Sequence, residues 1–143
     1  MTQTEDHQEG DAMGAKLKHL ELIQGVIDRM ASNSFRLKEW SVVLVSAILV
    51  LTARENSGEA ALIGLVPALV FWGLDAYFLR QERLYRALYD HVRRLEPHEI
   101  DFSMQTDTFT GRKLTWHSPF FSKTLLAFYL AVAAAVVSAS IAI

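Results

Sequence analysis

The sequence predicts an all-α membrane protein: three transmembrane helices, a pair of cytoplasmic helical extensions and a short β-hairpin-like loop. Three observations predict it. Hydrophobic residues make up 51% of the chain and gather into blocks rather than spreading evenly. The last block, residues 124–143, holds no charge, Pro or Gly. Every Lys and Arg except Arg54 lies outside the turn between the first two blocks.

Composition narrows the function classes. Formal charge is −2, from 14 Lys and Arg against 16 Asp and Glu. That balance does not suit a nucleic-acid binder relying on a global basic field. The absence of Cys excludes disulfide scaffolds, cysteine zinc sites, Fe–S clusters and thiol catalysis.

Residues 1–14 are polar, acidic and Gly-containing, and read as a disordered N-terminus. The acids and the late first apolar block exclude a cleavable signal peptide. Residues 15–39 read as a cytoplasmic amphipathic helix. Leu20, Ile23, Ile27 and Met30 share one row, with Leu17 and Val26 beside it. Ser32, Asn33 and Ser34 mark a bend or break on the way to the first span.

The first span is residues 40–53, fourteen residues or roughly 21 Å of helix. That length is short for a bilayer and predicts local thinning or burial among partners. Lys38 and Arg54 flank it and can snorkel outward. The polar link 54–59 (RENSGE) suits a transmembrane hairpin. The second span, residues 60–79, contains Pro67 and Asp75 and closes on Tyr77, Phe78 and Arg80.

Residues 80–96 extend that helix into the cytoplasm. Leu84, Leu88, Val92 and Leu95 keep one apolar row, and Pro97 ends it. The two cytoplasmic stripes predict an antiparallel pair. In residues 98–119, Ile100, Phe102 and Met104 alternate with polar residues before Gly111, and Leu114 and Trp116 alternate after it. This predicts a short β-hairpin or an ordered loop leaning on the helix pair or on a neighbouring subunit. The third span is residues 124–143, with Lys123 and the 116–121 aromatics as interfacial anchors. The positive-inside rule then places the N-terminus in the cytoplasm and the C-terminus across the inner membrane.

Asp75 is the most telling residue. A carboxylate inside a span costs on the order of 3 kcal/mol at the centre and less near the edge. Either it lines a polar pathway or pairs across helices, or it sits at the interface and pairs with Lys38, Lys123 or Arg80. Two small-residue ridges, Ala60–Gly64–Ala68 and Ala127–Ala131–Ala135–Ala139, predict close helix packing and a homo-oligomer. Arg80, Arg83, Arg86, Arg93 and Arg94 form a juxtamembrane face for a cytoplasmic partner or anionic lipid.

No enzymatic constellation stands out. Arg86 with His91, Arg93 with His98 and Arg112 with His117 each match Arg-x4-His, the ribonuclease motif of HEPN domains. Three matches in one chain show how cheap the pattern is. His91, Glu96 and His98 read as solvated surface rather than a metal cluster, because Pro97 interrupts their helix. No P-loop, GxGxxG, GxSxG or HExxH occurs, and no cofactor or metal is implied.

The stretches HLELIQGVIDRMASNSFRLKEWSVVLVSAILVL and FWGLDAYFLRQERLYRALYDHVR, within residues 19–94, resemble a widespread group of small bacterial membrane proteins. In architecture the chain is similar to the SLATT class of two-transmembrane effectors of nucleotide-signalling and antiphage operons. The third span departs from that pattern. The resemblance implies a non-enzymatic, oligomerising membrane effector or accessory protein controlled from its cytoplasmic face. The alternative is a membrane anchor or scaffold that recruits a soluble partner.

Overall fold

The computed structural model describes residues 2–55, 57–109, 111 and 114–142, with side chains from His7 onward. Among these residues the regular structure is helical throughout, and no strand forms. Thr110, Arg112 and Lys113 lie outside the described residues. So do the Arg112 member of the Arg-x4-His pattern and two basic residues of the charge-asymmetry reading.

Helix α1 runs unbroken from Thr2 to Arg54, 53 residues and roughly 80 Å. It takes in the segment expected to be disordered. Gly10 and Gly14 face open space, and no Pro interrupts the run. The expected break at Ser32–Ser34 does not occur either. Serine breaks helices when its hydroxyl competes for the local backbone. Here the Ser34 hydroxyl donates across the interface to Asp75 instead.

A short turn leads into α2 (Gly58–Ala61), a 3₁₀ turn (Leu62–Gly64) and α3 (Leu65–Val92). Together they make a 35-residue rod. Pro67 has no N–H for the carbonyl four residues earlier, at Ile63, and the helix tightens to 3₁₀ there. The rod ends at Val92, before the expected end at Glu96. Pro97 holds Glu96 extended (ψ 151°) and opens a second 3₁₀ turn, Pro97–Glu99, closed by reciprocal Glu96 and Glu99 capping bonds. Helix α4 covers Lys123–Ala142, and its N-terminus is satisfied by Ser122 Oγ, which accepts from the Leu125 N–H at 3.3 Å.

The helices pack side by side, and three clusters mark successive levels. Val45 of α1, Ala68 of α3 and Val136 of α4 meet at one level. Ala76, Leu125 and Tyr129 form the next. Ile23 and Ile27 of α1 pack on Leu88, Val92 and Ile100 at the far end. The antiparallel packing expected from the two stripes is therefore formed. Lys16 fixes its register: its ammonium donates to the Arg93 and Leu95 carbonyls at 3.2 and 2.6 Å, where α3 leaves acceptors unpaired.

The expected β-hairpin at 98–119 is not formed among the described residues. Ile100, Met104 and Phe109 pack on the helix pair singly, and Phe102 takes a left-handed backbone (φ 55°), which breaks strand alternation. Residues 114–121 then turn back along α3. The loop does lean on the helix pair, through side chains rather than a ladder.

Among the described residues, two helices are long and apolar enough to cross a membrane: the Gly58–Val92 rod and α4. Helix α1 falls short by that measure. Its apolar run, 40–53, is bounded by Lys38 and Glu39 on one side and by Arg54, where the helix ends, on the other.

Candidate functional site

Ser34 and Lys38 stand one turn apart on α1, on the face that meets α3. Asp75 of α3 lies opposite them and is fully buried. Lys38 Nζ sits 2.5 Å from Asp75 Oδ2 and donates to Ser34 Oγ at 3.0 Å. Ser34 Oγ in turn donates to Asp75 Oδ1. Tyr129 of α4 reaches Asp75 Oδ2 at 3.4 Å through its hydroxyl. Both carboxylate oxygens are thus engaged, and three helices meet on one side chain.

This geometry meets one clause of each expectation for Asp75: a pair across helices, and Lys38 as the partner. It pairs across helices with Lys38, at the level of Tyr129, the seventh residue of α4. Lys123 and Arg80 are not its partners. Arg80 instead donates to the Leu114 carbonyl at 3.1 Å and lies 4.4 Å over the Trp116 ring. Ala76 and Tyr129, beside the carboxylate in the chain and in space, belong to an apolar cluster that Phe71 and Trp72 extend. Removing Lys38 strands a fully buried carboxylate, which costs several kcal/mol, and removing Asp75 leaves a largely buried ammonium without its counter-charge, whereas a matched apolar pair costs little.

The juxtamembrane arginines divide into two groups. Arg80 and Arg83 turn inward: Arg83 Nη1 donates to Ser118 Oγ at 3.0 Å, so both hold the 114–118 segment against α3. Arg86 pairs with Glu82 at 2.8 Å and Arg93 with Asp90 at 3.2 Å, on the surface. Arg94 is exposed. A single outward basic face of all five is therefore not formed.

The small-residue ridges also divide. On the Gly58–Val92 rod, Gly64 and Ala68 face inward and Ala60 is half-buried. A Cβ on Gly64 would lie 3.4 Å from Val136 Cγ2, an ordinary contact. A Cβ on Gly58 would lie 2.3 Å from the Ser140 carbonyl oxygen, so the tightest backbone approach is there, outside the expected ridge. On α4 the inward row is Leu125, Tyr129 and Val136. Ala127, Ala131 and Ala135 face outward and Ala139 is half-buried. That ridge makes no close approach within the protomer.

His91, Glu96 and His98 are not brought together. The His91 ring stands against Phe109 at 5.8 Å, Glu96 serves the capping box, and His98 lies in the 3₁₀ turn. Among the described residues no group of three or more His, Asp or Glu is placed to hold a metal ion.

Sequence reasoning found Asp75 and named Lys38 among its partners, but missed Ser34 and Tyr129. The signal for Ser34 was present. Ser34, Lys38 and Ser41 recur at i, i+4 and i+7, a polar stripe on one face of α1 leading into its apolar run. Tyr129 carried none, because one aromatic in a span reads as packing. Comparison with known proteins adds no relative: no family model, curated protein or solved structure matches the chain.

Proposed function

We propose that the chain is a three-span bacterial inner-membrane protein, N-terminus inside and C-terminus outside, that works as an oligomerising effector or accessory protein controlled from its cytoplasmic face. The resemblance to SLATT effectors assigns it to antiphage defence in the same reading. The third crossing is supported by depth. Val45, in the middle of residues 40–53, meets Val136 and Ala68 of the two helices long enough to span. A segment at that level lies in the same slab, and its short apolar run is offset by burial of its polar face.

One observation carries the functional reading. Helix α1 is a single rod from the Lys16 contact, through the Asp75 clasp, to the far end at Arg54. A partner that shifts the cytoplasmic pair shifts the membrane part with it. The outward Ala127–Ala131–Ala135 ridge supports self-association, since small residues let helix backbones approach in lipid.

The test is induced expression with every operon partner present, reading membrane potential and growth. Loss of potential on partner activation is the expected result. Unchanged potential and growth overturn the effector reading. Detergent-subtracted mass supplies the second arm: a ring-sized oligomer that Ala131→Trp breaks down is expected, and a monomer unaffected by that change removes the oligomer.

A second reading, an anchor or scaffold that recruits a soluble partner, is favoured by the complete satisfaction of Asp75 within one protomer. It requires no intramembrane charge for action. Replacing the pair together, Lys38→Met with Asp75→Leu, then leaves partner capture intact. Changes on the exposed surface of residues 15–38 and 80–95 abolish it.

A further inference from the structure

Helices α1 and α4 share the Val45–Val136 level but leave a cleft of about 870 Å³ nearer the Asp75 level. Its walls are Phe35, Trp40, Val42 and Val43 of α1 and Phe128 of α4, with Lys38 and Glu39 at the polar edge. Phe128 is the sixth residue of α4, so the cleft opens roughly 7.5 Å into that helix, at the boundary between headgroups and acyl chains. An apolar cleft at that depth is unfavourable for water and is open to lipid.

The charges on its edge select the lipid. The Lys38 ammonium has three donors, and they go to Asp75 Oδ2, Ser34 Oγ and the Ser34 carbonyl. With Asp75 it forms a neutral pair. Glu39 has no ion-pair partner among the described residues, and the exposed Arg36, three residues earlier, does not pair with it. Among the residues lining the cleft, Glu39 is thus the one carboxylate outside an ion pair. Beside it stand the Trp40 and Phe35 rings, both 63% exposed. A carboxylate with aromatic faces recognises an ammonium group, whereas an anionic headgroup meets like charge.

We propose that this α1–α4 cleft binds one phospholipid with an ammonium headgroup, of the phosphatidylethanolamine class. Glu39 and Trp40 take the ammonium, and an acyl chain lies along Val42, Val43 and Phe128. The proposal rests on the membrane-spanning reading above and goes beyond it in naming a ligand and a site.

The test uses the full chain in membranes holding equal phosphatidylethanolamine and phosphatidylglycerol. An alkaline-carbonate wash first reports integration. Release of the chain by the wash overturns both readings. For integrated protein, gentle detergent extraction and native mass spectrometry count retained lipids. The expected result is about fivefold enrichment of phosphatidylethanolamine, that is about 1 kcal/mol. Glu39→Gln, at an exposed position that does not test folding, brings the ratio close to one. Val43→Trp fills the cleft and removes the retained lipid of either class. Retention without headgroup preference, preference unchanged by both variants, or no retained lipid overturns the site while leaving the membrane reading in place.

Discussion

At the scale of single residues, the Asp75 clasp and the glycine contacts carry the sharpest predictions. Asp75→Asn leaves Lys38 without its counter-charge, and Lys38→Met leaves the fully buried carboxylate alone. Each single change is expected to cost about 3 kcal/mol, and the double replacement Lys38→Met with Asp75→Leu far less. Thermal unfolding in detergent of the two singles and the double reads this directly. Equal losses for all three would mean the clasp contributes through packing, not charge. The two glycines make a second pair. Gly58→Ala drives a methyl into the Ser140 carbonyl oxygen and is expected to lower stability by about 1–3 kcal/mol. Gly64→Ala meets the Val136 methyls and Val45 Cγ1 at contact distance and is expected to be neutral or slightly stabilising, since alanine favours helix. Sequence spacing put Gly64 in a ridge but had no means of finding Gly58, whose constraint comes from a backbone 82 positions away in the chain.

At the scale of elements, charged side chains on helix ends decide how the parts meet. Lys16 satisfies carbonyls at the end of α3, so Lys16→Met is expected to cost about 1 kcal/mol and to loosen α3's last turn. Hydrogen exchange of the amides of residues 88–95 measures it. Arg80 binds the Leu114 carbonyl and the Trp116 ring together, and Tyr77 stands 6.4 Å from the same ring. Arg80→Ala is expected to release residues 114–118 from α3, seen as a change in Trp116 emission and faster exchange in that segment. Arg80→Lys keeps charge but loses the planar stacking and is expected to recover only part of it. The helical elements were largely legible: the 3.6-residue rows placed Ile23, Ile27, Leu88 and Val92 correctly. The loop was not. Alternation at Ile100, Phe102 and Met104 has the period of a strand, yet each side chain finds the helix pair by itself, and Phe102's left-handed backbone leaves no ladder to form. Local pattern cannot reveal that the neighbouring surface is a helix pair instead of a second strand. The clasp was half legible for a related reason. A charge in an apolar run announces itself, whereas a hydroxyl supplied by another helix does not.

At the scale of the whole molecule, three helices of unequal apolar length share one bundle. The chain has no Cys, so a single introduced thiol reports topology without background. Glu55→Cys, exposed in the link between α1 and α2, is expected to react with an impermeant maleimide added outside intact cells. Gln24→Cys, exposed on the α1–α3 pair, is expected in the proposed topology to react only after permeabilisation. Labelling of both from one side would remove the crossing by α1 and leave a two-span chain. The all-helical character and the two long apolar helices came from composition and periodicity. The continuity of α1 did not: at Ser32–Ser34 the Ser34 hydroxyl bonds to Asp75 of another helix instead of the local backbone, and at Gly14, which faces open space, no contact accounts for it.

The ion pair between α1 and α3 bears on biogenesis. In the three-crossing reading, residues 40–53 emerge from the ribosome with Lys38 at their edge and without the carboxylate that neutralises it, which lies 37 positions later. So short an apolar run, still charged at its margin, is a poor insertion signal by itself. The Gly58–Val92 rod brings both the hydrophobic length and the counter-charge. The two segments then enter the bilayer as one preassembled helical hairpin, and translation past Asp75 becomes the step that commits the N-terminal rod to the membrane.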